Sequence, residues 1–218
     1  MKKIMFDDKY GLTKAVLEGK KTQTRRIVKT SDAYERVNPD FDWSRSDIKA
    51  WNNAFTSRVQ NMSENEKKLC FDYLINHPKY KVGEIVVVAH SYKDAGIKPE
   101  YIVGYENYGT PITAVQSPGW TNKMFVKPEL MPHQIRITAV RVERLQDISD
   151  EDCFKEGINA SNSHEIGYGI PWVYEFEGSK MAYYTPREAY AALIDKVSGK
   201  GTWDKNPYVF VYDFELIK

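Results

Sequence analysis

A chain of 218 residues, 42% of them hydrophobic, can bury a substantial core and lies near the upper end of what one domain holds. A formal net charge of +1 gives no sign of a protein that holds polyanions by bulk positive charge. No run approaches the roughly 20 apolar residues a membrane helix needs, and acids interrupt MKKIMFDDKYG before an apolar leader forms, so a cytoplasmic protein with no membrane partner is expected.

In chain order, Lys3 to Phe6 is fit for a short strand, and Tyr10 to Glu18 carries Leu12, Val16 and Leu17 near helical spacing before Gly19, a natural terminator. Thr22 to Val28 alternates as a strand would, so the basic segment GKKTQTRR, Gly19 to Arg26, spans a helix-to-strand junction. Residues 30 to 80 break the pattern and read as an insertion with helices at Ser46 to Met62 and Ser63 to Asn76. The second of these opens on a capping-box spacing, Ser63 to Glu66. Ile85 to Val88, four apolar residues after a turn, predict a strand buried on both faces.

Residues 91 to 127 are rich in Gly, Pro, Tyr and Trp and predict short strands and long loops. Gln134 to Leu145 predicts a long strand with a bulge near Ala139, and Ser149 to Glu156 a short helix with Ser149 as N-cap and Gly157 as stop. A loop-rich insertion over 158 to 185 precedes a helix from Pro186 to about Val197, a turn at Trp203 to Pro207 and a closing strand from Tyr208 to Ile217. Cys70 and Cys153 fall in separate predicted helices and read as reduced packing residues. Five or six strands with helices at the edges predict a single α+β domain around a mostly antiparallel, barrel-like sheet.

Charge is unevenly spread. Residues 1 to 29 hold nine Lys or Arg against three acids, a net +6, which leaves −5 for the rest. Within this segment Gly19-x-Lys21-x-x-Thr24-x-Arg26 joins a permissive turn to Lys20, Lys21, Arg25 and Arg26, cations suited to a phosphate or a carbonyl oxygen. On charge alone, the same run equally suits a solvated edge strand.

Four segments together resemble the ASCH-domain proteins of the PUA-like superfamily: IMFDDKYGLTKAVLEGKKTQTRRIV, YKVGEIVVV, ITAVRVERLQDISDEDCFKEGI and WDKNPYVFVYDFELI. The layout is similar to that of the longer phage and prophage members, and neither insertion is covered. The usual family pattern is Gly-x-Lys-x-x-Glu-x-Arg, and Thr24 stands here in place of the glutamate. A Lys-x-x-Thr form resembles the short bacterial members that remove the acetyl group of N(4)-acetylcytidine. That resemblance implies Lys21, Thr24 and Glu156 as a catalytic set, with Gly19, Lys20, Arg25 and Arg26 around the bound nucleoside or RNA. An amide needs a nucleophile, a base and a proton donor, roles open to Thr24, Lys21 and Glu156 in turn. In a regular strand residues three apart point to opposite faces, so Lys21 must lie in the turn, or a bulge must re-aim Thr24.

Loop aromatics beside a basic strand can stack a base, and Tyr92 and Trp120 are the preferred candidates. His77, His90, His133 and His164 show no ligand spacing, no phosphate loop occurs, and neither metal nor cofactor is expected. Arg141 and Arg144 read as the wet face of a strand. Two alternatives stand beside deacylation: a non-catalytic RNA-binding module, and a phage accessory protein that meets a protein partner through its insertions.

Overall fold

The computed structural model describes residues 1–29, 61–162 and 172–217. The helix expected at Ser46 to Met62 lies, except for its last two residues, outside this range.

The described strands are β1 (Lys3–Ile4), β2 (Gln23–Ile27), β3 (Ile85–Val88), β4 (Ile102–Tyr105), β5 (Pro111–Thr113), β6 (Gln134–Arg144), β7 (Asn159–Asn162), β8 (Trp172–Glu175) and β9 (Tyr208–Leu216). The α-helices are α1 (Leu12–Leu17), α2 (Glu64–Asn76), α3 (Asp150–Lys155), α4 (Pro186–Ser198) and α5 (Thr202–Lys205). None is long and apolar enough to cross a membrane.

The fold is α+β. Its main sheet runs β1-β3-β6-β9-β2, with β1 and β3 parallel and every other pair antiparallel. The ladder stays open, with β1 and β2 at its edges, so the sheet is not closed into the barrel the strand count invited. The register of β6 on β9 shifts between Ile137 and Ala139, where the alternation of QIRITAVRVER changes phase.

Strand β3 explains how one short run serves two layers. Successive side chains alternate faces, so Val86 and Val88 enter the main core with Ile4, Ile135, Ile137 and Phe214, while Val87 and Ala89 enter a second cluster with Tyr92, Val103 and Met131. The loop-rich segment after β3 folds over that second face, and its own ladder is the β4-β5 pair.

Helix ends follow local chemistry. Ser63 and Thr185 each complete a capping box, with Glu66 and Glu188, and Ser149 accepts from the Asp152 amide. Two expectations are corrected. Segment 158–185 contains the antiparallel β7-β8 ladder, extended by a Tyr174–Tyr183 bridge, and the expected turn near Trp203 is the short helix α5. The sequence NASN carries almost no strand propensity, so pairing with WVYE, not local preference, sets β7.

Gly178 follows β8 in the left-handed region at φ +76, and a Cβ there would sit 2.9 Å from the carbonyl oxygen of Lys9. Backbone cannot yield as a side chain does, so Gly178→Ala is expected to lower the unfolding free energy by about 1–3 kcal/mol. Urea denaturation at constant m-value checks this, and an unchanged midpoint contradicts it.

Candidate functional site

The site begins at the turn after α1. Gly19, at φ +70, reverses the chain, and the amides of Lys20 and Lys21 both donate to the Ala15 carbonyl at 2.9 Å. Lys21 therefore belongs to the turn and not to β2. The next amide, Thr22, donates to the Lys155 carbonyl at 3.0 Å, which fastens the start of β2 to the end of α3. Gly157, at φ +103, closes α3 beside this contact, and a Cβ there would make only ordinary contacts with Leu12 Cδ2 at 3.4 Å and Lys21 Cδ at 3.9 Å.

This junction brings Lys21 onto Glu156 across 135 positions of sequence. Lys21 Nζ donates to Glu156 Oε2 at 2.6 Å and to the Glu156 carbonyl at 2.8 Å, with both side chains at most 5% exposed. Glu156 stands at the C-terminal end of α3, where the helix dipole disfavours an acid, and two cations offset that: Lys21, and Arg25 through Nη1 at 3.2 Å from Oε1. Burial pushes the Lys21 ammonium below its ordinary pKa, Glu156 pulls the other way, and Arg26 and Arg25 add to the lowering.

Strand alternation sorts the rest. Gln23 and Arg25 share one face of the sheet with their register partners Asp213 and Val211, and β6 adds Arg141 and Glu143 on that face. There the Arg25 guanidinium, with no exposed side-chain surface, donates to Glu143 Oε1 at 2.6 Å, to Asp152 Oδ2 at 3.0 Å and to Gln23. Arg141 reaches Asp152 and Asp213, both at 2.7 Å, and Glu143 at 3.0 Å. Tyr190 of α4 lies under Arg25, 6.0 Å from ring centre to guanidinium carbon, and its enclosed hydroxyl has no hydrogen-bond partner among the described residues. Burial first, then Glu156, raises its pKa well above the ordinary tyrosine value.

Thr24 and Arg26 point to the opposite face, with Tyr212 and Phe210. Thr24 is buried and its hydroxyl makes no hydrogen bond among the described residues; Lys21 Nζ and Thr24 are not bonded to each other. The Phe6 ring joins the two halves: Lys21 Nζ lies 5.9 Å and the Arg26 guanidinium carbon 5.7 Å from its centre.

Lys21 and Glu156 are thus brought together, with Thr24 and Arg26 on the adjoining face of β2. The other expected contacts fare differently. Lys20 is exposed and paired with Glu18 at 2.7 Å. Arg25, expected to face a ligand, is instead an internal cation. Tyr92, expected to stack a base, is 1% exposed in the second cluster, where its hydroxyl accepts from the Lys127 amide, and Trp120 packs against the same cluster.

Sequence reasoning missed Gln23, Arg141, Glu143, Asp152, Asp213 and Tyr190. Only the alternation of charges in RVER and YDFE hinted that β6 and β9 share a polar face. His90 Nε2 and His133 Nδ1 also meet, at 3.2 Å, because β3 and β6 pair. Among the described residues, no three His, Cys, Asp or Glu side chains gather to hold a metal ion.

Comparison of the chain with protein-family models, with curated proteins and with solved structures finds no match.

Proposed function

We propose that this protein is an ASCH-type, PUA-like protein that binds a nucleoside or an exposed RNA base and hydrolyses the N(4)-acyl amide of acylated cytidine. The observation that carries the reading is the enclosed 2.6 Å contact between Lys21 and Glu156, the two most distant members of the set implied by the Gly-x-Lys-x-x-Thr-x-Arg resemblance. An ammonium whose pKa is lowered by burial, touching a carboxylate, is a proton-transfer pair suited to acid–base chemistry.

In this mechanism neutral Lys21 takes the proton of the Thr24 hydroxyl as its oxygen attacks the amide carbon. Glu156 relays the proton to the departing cytidine nitrogen as the C–N bond breaks. The acetyl group is left as an ester on Thr24. Water then cleaves that ester, giving acetate and restoring the threonine. Lys21 and Thr24 must approach in the substrate complex, as catalytic hydrogen bonds commonly do.

Incubation with N(4)-acetylcytidine, followed by chromatography of cytidine and acetate, tests the reading. Thr24→Ala is expected to lower kcat by about 100-fold or more, because no other nucleophile is activated in its place. No turnover by the parent protein, or unchanged turnover in Thr24→Ala, sinks it.

The absence of a Lys21–Thr24 hydrogen bond favours a second reading, a non-catalytic RNA-binding module in which Lys21–Glu156 is structural. RNA retention in a gel that weakens with salt, without any deacylation, is its signature.

A further inference from the structure

Of the four cations in Gly19 to Arg26, three are engaged by carboxylates of the chain itself. Lys20 holds Glu18, Lys21 holds Glu156, and Arg25 holds Glu143, Asp152 and Glu156. Arg26 alone among them meets no carboxylate within the described residues. Its Nη2 donates to the Met5 carbonyl at 2.5 Å, and its guanidinium lies by the Phe6 ring. Among the described residues its Nε is enclosed and unbonded, while Nη1 makes no hydrogen bond and is not enclosed. An arginine oriented at one nitrogen and against one ring, with open donor capacity and no counter-ion among the described residues, is set to meet an anion from outside.

Strand alternation strengthens the case. Glu143, Asp152 and Asp213 gather around Arg25 and Arg141 on the opposite face of the sheet, so an anion at Arg26 is separated from them by β2 itself. Glu156, the acid that Lys21 holds, is already matched by two cations.

We propose that Arg26 is the reader of a phosphate group on the ligand, so that the preferred ligand is a phosphorylated cytidine, as nucleotide or within RNA, and not the free nucleoside. This rests on the base-binding part of the proposed function and is independent of whether the site is catalytic. The phosphate takes Nη1 of Arg26, and the base lies toward Thr24 and Lys21. The chemistry is shared by a phosphomonoester and an RNA phosphodiester.

Calorimetric titration of the full chain with cytidine, cytidine 5′-monophosphate and a short cytidine-rich oligoribonucleotide tests this. A charge-assisted contact predicts that the monophosphate or the oligonucleotide binds about tenfold or more tighter than cytidine. The tighter of the two identifies the source of the phosphate. Arg26→Gln is expected to bring both down to the level that the same variant shows for cytidine, and Arg26→Lys to retain part of the preference. Equal binding of cytidine and its phosphorylated forms by the parent protein overturns the proposal without any variant. So does a preference that survives Arg26→Gln, or no binding of any of the three. Deacylation without phosphate preference removes this inference alone; phosphate preference without deacylation removes the amidohydrolase reading alone.

Discussion

Arg25→Met is expected to lower the unfolding free energy by about 3–5 kcal/mol at pH 7, the range for breaking a buried ion pair by removing one partner. The guanidinium has no exposed side-chain surface and serves three carboxylates at once. Complete loss of the folded state is not expected, because each acid keeps another cation: Arg141 for Glu143, Arg141 and Lys155 for Asp152, Lys21 for Glu156.

The pH dependence distinguishes this cause from lost packing. Burial alone would raise the pKa of Asp152, but the hydrogen bond and charge of Arg25, with Lys155 and Arg141, outweigh it and hold the carboxyl below its ordinary value. A depressed folded pKa gives stability that is fully present above the unfolded value, about 3.9, and is lost as pH falls through the folded one. Without Arg25 the desolvation remains and the largest opposing influence is gone, so the folded pKa rises. A carboxyl that protonates at higher pH in the folded variant than in the folded parent costs the variant most where both are ionised and nothing where both are protonated. Its deficit against the parent should therefore shrink on going from pH 7 to about pH 3, below the unfolded value of about 3.9, as read by urea denaturation at both. A deficit that is the same at both pH values assigns the effect to packing.

The same network shows where sequence legibility ended. The Gly19 turn, the capping box at Ser63, the N-cap at Ser149 and the phase change near Ala139 were readable because each depends on residues close in sequence. Lys21 does lie in the turn, as its meeting Thr24 required, yet its ammonium reaches Glu156 and makes no hydrogen bond to Thr24. The polar face was not readable. Arg141 alternates with apolar residues and stays half-exposed, yet Asp152 of the nearby α3 and Asp213 of β9 engage it, while Arg25 on the same face is closed off above Tyr190 of the distant α4 as an ion-pair layer. Arg144, read the same way, is exposed as expected, with its guanidinium carbon 3.8 Å over the Tyr208 ring. Alternation states that two faces differ; it does not state what will cover either one.

Lys21→Met is expected to reduce kcat for N(4)-acetylcytidine by about 10²–10⁴-fold, the usual contribution of a positioned general base. The same change should destabilise the fold, because Glu156 keeps only Arg25, at 3.2 Å, as counter-ion. The two effects separate in Lys21→Met/Glu156→Gln, where no charge is left unmatched at that junction: stability recovers toward the parent, while activity stays lost. Titration supplies the second discriminator. Burial lowers the folded pKa of Lys21 below its unfolded value of about 10.4, so this residue binds a proton less readily in the fold. Stability from this group is then lowest below the folded pKa and rises with pH up to about 10.4, a rise that Lys21→Met abolishes. The acid limb of kcat/KM falls on the same group, since only its neutral amine can take the Thr24 proton. Activity restored along with stability in the double variant would leave Lys21–Glu156 as a structural pair and pass the function to the binding reading.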